Sequence, residues 1–221
     1  MSSDDDGDED LDAENQHDSD SSNSAGLDQL WKRLVNQLVQ RQLKLFGIKV
    51  TEKLHRLATC DWTAKLHKTP PSQRLIAASH ACATKQLSQF LTRCLRQITG
   101  TLRKEYNRRQ RRDGVNRFWI ANNAEDVLRT LNEINADGMA TYIETLDFST
   151  LYTNIPHDDL KLKLADVVAE AFEIERKLHR GKQVRLAVYS RKAAFVTKPR
   201  KDTQTVSEAE LCHMLNFLIY L

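Results

Sequence analysis

Residues 142–156 read YIETLDFSTLYTNIP, and within them Asp147 closes a β-branched, apolar run and is followed at once by a polar turn. A carboxylate at such a place has to be solvated, paired or bound to a cation, because a charge left dry is costly. The same residue types also build turns and helix caps, so the segment by itself leaves those readings open beside metal binding. A second candidate lies upstream, where Lys65, His67 and Lys68 precede Pro70 and Pro71, and Arg74 follows them. Cations around a Pro-Pro turn that leads into an apolar run suit a clamp for phosphate oxygens, or an ordinary charged turn. The third candidate is residues 103–112, where Arg103, Lys104, Arg108, Arg109, Arg111 and Arg112 surround Tyr106. Cations beside an aromatic fit a nucleic-acid backbone with a base to stack, and the composition fits equally a solvated helix end or a nuclear import signal.

These groups need elements to hold them. Leu27, Leu30, Trp31, Leu34, Val35 and Leu38 fall on one face of a helix, so the ordered chain is expected to begin near Leu27 and to break at Gly47. A second helix is predicted over 84–98, with Leu87, Phe90, Leu91, Cys94, Leu95 and Ile98 three and four apart; Cys94 lies on its apolar face and reads as core. A third follows Asn122 and Asn123 as cap residues, and a fourth follows Pro156 with Asp158 and Asp159 in its first turn. The last starts near Ser207. Strand signals lie at 74–78 and 141–148, and a hairpin is predicted from 184–189 with 193–196. Helices mixed irregularly with a few strands predict an α+β fold, helix-rich with a small antiparallel sheet and no internal repeat.

The 221 residues carry 33 lysines and arginines against 30 acidic residues, a formal charge of +3. The near balance hides an asymmetry. Residues 1–28 hold 11 acidic side chains and no lysine or arginine, which leaves 33 basic against 19 acidic residues, or +14, in the remainder. Residues 1–26 therefore read as a disordered acidic tail, too poor in apolar surface to offset the entropy of ordering. Such a block is a solvating tail, a phosphorylatable arm or an internal competitor for a basic surface. A hydrophobic fraction of 40% is enough for a core in the rest, while 7 Gly, 4 Pro and 4 Cys exclude collagen-like, mucin-like and disulfide-framework chains. Cys60, Cys82, Cys94 and Cys212 lack the spacing of a zinc site. With no apolar run of about 18–20 residues and an acidic start in place of a signal peptide, the expected setting is intracellular and reducing, away from membranes.

Three strings in order carry a resemblance. Lys-Leu-His-Lys-x-Pro-Pro-x-x-Arg ends at Arg74, Gly-Val-Asn-x-Phe-Trp-Ile-x-Asn-Asn ends at Asn123, and Asp-Phe-Ser-Thr-Leu-Tyr-Thr-Asn-Ile-Pro-His starts at Asp147. Over residues 50–221 the chain resembles the reverse transcriptases of Penelope-like retroelements, a class of retrotransposon. The resemblance implies polymerase fingers within 27–140 and a partial palm at 141–221. It implies RNA-directed DNA polymerase activity in the family, with an RNA or DNA template-primer and a dNTP as partners and Mg²⁺ as cofactor. By that resemblance Asp147 is the catalytic aspartate and first metal ligand, and the backbone carbonyl of Phe148 serves the same ion. Hard Mg²⁺ takes oxygen ligands, and paired ions stabilise the attacking and leaving oxygens of an in-line displacement. Tyr152 becomes the steric gate against a ribose 2′ hydroxyl, Lys65, Lys68 and Arg74 grip the triphosphate, and the basic run at 103–112 holds the template backbone.

The family's palm also uses an aromatic-x-Asp-Asp turn, and no such string occurs in this sequence. Asp158 and Asp159 follow Pro156 within the first palm motif and read as helix-start charge. The last helix carries Leu211, Met214, Leu215, Leu218 and Ile219 into the end of the sequence without a cap or a glycine. The expectation is a truncated polymerase fragment, without the C-terminal palm and thumb, that binds template-primer and dNTP but does not polymerise alone. The alternatives are a non-catalytic nucleic-acid-binding remnant whose acidic tail competes with the basic surface, and a non-functional retroelement fragment. For a retroelement protein the nucleus is the expected location.

Overall fold

The computed structural model of the chain describes residues 17–49, 57–66, 69–118, 120–121, 123–136, 138, 142, 144, 146 and 154–220, with side chains from residue 29 onward. The chain forms two compact units that divide between Leu87 and Ser88. Its architecture is a mixture of helices and small antiparallel sheets.

The first unit holds helix α1 (His17–Leu45) and the strands β1 (Thr59–Lys65) and β2 (Ser72–Ala78). The helix starts ten residues before the expected Leu27, so residues 17–26 of the acidic segment are helical while 1–16 lie outside the described residues. Extending an existing helix costs little compared with starting one, and Asp18 and Asp20 stand at its positive end. The face predicted from Leu30, Trp31, Leu34 and Leu38 is not the buried one: all four are exposed, and burial falls on Val39 and Leu43. Gly47, at φ 68, turns the chain out as predicted.

Strand β1 was not expected, yet its sequence alternates. Antiparallel pairing with β2 matches Trp62 to Leu75, Thr63 to Arg74 and Lys65 to Ser72. Directly opposed residues share a face, so Cys60, Trp62, Ala64, Gln73, Leu75 and Ala77 line one side of the hairpin. Thr59, Asp61, Thr63, Lys65, Ser72, Arg74, Ile76 and Ala78 lie on the other.

The second unit is built on α2 (Lys85–Asp113), α3 (Ala124–Ala136), α4 (His157–Leu178), a sheet of β3 (Arg185–Val188), β4 (Ala193–Val196) and β5 (Gln204–Val206), and α5 (Glu208–Ile219). Helix α2 runs fifteen residues beyond the predicted end at Ile98, through Gly100 and the whole basic run. Phe90, Leu91, Cys94, Ile98 and Leu102 are buried along one face of it, each worth roughly 1.5–3 kcal/mol for the large aliphatic and aromatic side chains. Burial pushes the Cys94 thiol up to about 12, in keeping with its place in the core. Val168, Ala171, Phe172 and Ile174 form the matching buried face of α4. The Thr101 hydroxyl donates to Glu175 Oε1 at 2.9 Å and ties the middle of α2 to the last turn of α4.

The predicted hairpin is present, with Arg185 opposite Val196 and Val188 opposite Ala193, and β5 adds to the free side of β3 to give the order β4-β3-β5. Phe172 packs edge-on against Phe195 at 4.9 Å between ring centroids. Helix α5 opens with a capping box: Ser207 Oγ accepts from the Glu210 N–H while the Glu210 carboxylate accepts from the Ser207 N–H. The Arg176 guanidinium joins α4 to Glu208 at 2.8 Å. Where the sequence suggested an uncapped finish, Tyr220 closes α5 by donating its backbone N–H to Asn216 O. Its hydroxyl donates to Asp158, and its ring meets His157 edge-on under the Lys161 ammonium. Helix α3 begins as predicted, with Asn123 Oδ1 accepting from the Asp126 N–H at 2.8 Å, and none of its side chains is buried. Of the strand predicted at 141–148, the described residues Tyr142, Glu144 and Leu146 belong to no strand and are exposed; the others lie outside the described residues.

Candidate nucleic-acid interface

The basic run occupies the last turns of α2, where a helix C-terminus carries partial negative charge and favours cations. None of residues 103–112 is buried, so the core-facing register of the first half gives way to surface. Helical spacing then decides which cations are neutralised. Glu105 reaches three and four residues on, accepting from Arg108 Nε at 2.9 Å, Arg108 Nη2 at 3.0 Å and Arg109 Nε at 2.8 Å. These bonds, the Arg108 one foremost, hold the Glu105 carboxyl below the usual carboxylate range against a smaller opposing push from burial.

Tyr106 is half-buried. Its hydroxyl donates to Glu170 Oε2 on α4 at 2.7 Å, and that bond, with burial behind it, pushes the phenol above its ordinary value. Its ring lies 6.3 Å from that of Phe118, tilted by 47°, and the Arg109 guanidinium sits 5.6 Å from its centroid. Arg103 covers the Phe118 ring at 5.1 Å and reaches the Ile120 carbonyl. The chain can double back this way because Gly114, at φ 76, ends α2 with its N–H on Gln110 O at 2.7 Å. Asp113 Oδ1 then accepts from the Val115 N–H and from Arg117 Nη1, fixing the returning segment.

Three of the six predicted cations are thus engaged inside the unit: Arg103 by Phe118, and Arg108 and Arg109 by Glu105. Lys104, Arg111 and Arg112 are exposed and make no ion pair among the described residues, though Arg112 adds a little to the lowering of the Asp113 carboxyl that Arg117 chiefly causes. Two open grooves flank them. One, of about 620 Å³, lies between the ends of α2 and α4 and is lined by Arg108, Arg109, Arg112, Arg117 and Lys177 with Glu105 and Asp113. The other, of about 870 Å³, lies between α2 and α3 and presents Arg103, Asn107, Gln110, Arg111 and Asn116 beside Phe118 and Ile120, with Glu133 and the paired Asp126 and Arg129 also in its lining. A phosphate chain passing either groove meets guanidinium groups with donors to spare.

In the hairpin of the first unit, Lys65 and Arg74 are diagonal neighbours on the face opposite Trp62, one at a strand end and one exposed. Lys68, Asp147, Phe148 and Tyr152 lie outside the described residues. Among the described residues no group of three or more His, Cys, Asp or Glu side chains is placed to hold a metal ion, and no helix is long and apolar enough to cross a membrane.

Reasoning from the sequence missed the carboxylates that tune the basic run. Glu105 was readable, because Glu at i with Arg at i+3 and i+4 is a helical ion-pair pattern. Glu170 and Phe118 were not, since only the tertiary fold brings them to Tyr106. Compared with family models, with curated proteins and with solved structures, the chain matches none.

Proposed function

We propose that the chain binds nucleic acid through the cationic end of α2, as the template-holding and nucleotide-gripping part of a reverse transcriptase of the Penelope-like kind. The observation that carries the binding reading is the set of six cations on the exposed end of α2, of which Lys104, Arg111 and Arg112 make no ion pair among the described residues. Phosphate contacts of this sort are sequence-independent and release counterions. The polymerase reading rests on the order of the three sequence strings. Within it, Lys65 and Arg74 on one face of the β1–β2 hairpin, with Lys68 in the connection, grip a dNTP triphosphate, and Tyr152 screens its sugar. Asp147 and the Phe148 carbonyl would hold Mg²⁺, which when bound activates the primer hydroxyl and neutralises phosphate charge. Without an aromatic-x-Asp-Asp string, the chain alone holds these partners and does not extend a primer.

The test is fluorescence anisotropy of labelled single-stranded RNA and of an RNA–DNA template-primer titrated with the full chain at several salt concentrations. Affinity is expected to fall linearly with salt on logarithmic axes, and Arg111→Ala/Arg112→Ala is expected to flatten that slope by about 2. Binding indifferent to salt, or unchanged in the double variant, overturns the interface. Asp147-dependent primer extension by the chain alone would move it from holding nucleic acid to copying it.

A further inference from the structure

Helix α1 carries two apolar stripes. Val39 and Leu43 are buried at 3% and 0% exposure, whereas Trp31, Leu34, Leu38 and Leu45 stand at 67%, 45%, 65% and 73%. The exposed set is not scattered. Trp31, Leu34, Leu38, Arg41 and Leu45 follow one another at intervals of three, four, three and four, the a/d spacing of a coiled-coil seam, and Leu27 continues the register one step earlier. A helix of 29 residues is about 43 Å long, ample for such a seam.

We infer that this seam pairs with α1 of a second copy of the chain, antiparallel, about a two-fold axis. The register identifies the occupant, because the stripe is complementary to itself in one orientation. Setting Leu34 level with Leu38 of the second copy brings Trp31 level with Arg41 in the same step, and the two-fold axis repeats each layer. The one cation of the seam therefore meets its one aromatic, an attraction between guanidinium and indole face, and every other layer is leucine on leucine. A parallel pair in register would instead set Arg41 against Arg41 inside an apolar seam, at the cost of burying two like charges. Isologous contact of this kind closes at two subunits and does not propagate into fibres.

Analytical ultracentrifugation of the full chain over a micromolar concentration series tests this. A monomer–dimer equilibrium is expected. Leu38→Glu is expected to raise the dimer dissociation constant about a hundredfold or more with unchanged far-ultraviolet circular dichroism, since Leu38 faces solvent in the single chain. Arg41→Glu, which puts an acid over the indole face, is expected to weaken the dimer by about tenfold. A chain that stays monomeric throughout the series, or a dimer indifferent to Leu38→Glu, overturns the pairing. A dimer weakened by Leu38→Glu and untouched by Arg41→Glu overturns the antiparallel register.

Discussion

The first half of α2 and its last three turns are one continuous helix under opposite rules. From Phe90 to Leu102 the residues that matter are apolar, three and four apart, and buried. From Arg103 to Arg112 no side chain is buried and six are cationic. Like charges at i and i+4, such as Lys104 with Arg108 and Arg108 with Arg112, oppose helix formation by a few tenths of a kcal/mol each. The second half stays helical because the first half is anchored in the core, because Glu105 bonds two arginines and offsets one of their charges, and because Tyr106 is bonded across to Glu170. Packing in one half supports a charge density in the other that would not sustain a helix alone.

The sharpest way to break this division is in the core. Ile98→Ala should cost about 2–5 kcal/mol in chemical denaturation, and the basic half should lose its helix along with the rest, since none of its side chains is buried. Next in size is Arg111→Ala/Arg112→Ala, which should weaken RNA binding about tenfold in low-salt anisotropy while leaving stability within about 0.5 kcal/mol. Tyr106→Phe removes the bond to Glu170 and should cost about 1 kcal/mol. It also has a pH signature. The folded phenol ionises above its ordinary value, so its contribution is complete below the unfolded pKa near 10 and is lost as pH rises towards the folded one. Wild type should therefore lose stability in alkali more steeply than the phenylalanine variant. The smallest effect belongs to Glu105→Gln, which should leave stability nearly unchanged at neutral pH and tighten RNA binding severalfold by releasing Arg108 and Arg109. Because the folded carboxyl of Glu105 is depressed, its contribution is present above the ordinary carboxylate range and lost as pH falls through the lower folded value.

Much of the second unit was legible. The pattern of Leu87 to Ile98, the hairpin at 184–196, the start after Pro156 and the Ser207 cap all have local causes, and each of these elements begins within a few residues of its expected place, although α2 runs on fifteen residues past Ile98. What escaped was of two kinds. Strand β1 alternates strictly, with Cys60, Trp62 and Ala64 between polar neighbours, but an isolated seven-residue pattern is a weak signal beside the Pro-Pro turn that follows it. The buried face of α1, the Tyr106–Glu170 bond and the seat of Tyr220 on His157 and Lys161 depend on residues far apart in sequence, and no periodicity encodes them. For the site, the cations of the α2 end were readable as a set, but which of them remain free was decided by carboxylates that the fold delivers.

The position of β3 between β4 and β5 bears on the order in which the second unit assembles. All three strands, the Phe172–Phe195 contact and the Arg176–Glu208 pair join residues close together in the chain, so α4, the sheet and α5 can close on one another with little loop entropy lost. The bonds from α2 to α4 span 74 residues at Thr101–Glu175 and 64 at Tyr106–Glu170. On contact order the α4–α5 segment is expected to close first and α2 to dock on it later. The cationic turns are then expected to be the last part of the unit to be ordered and the first to be released.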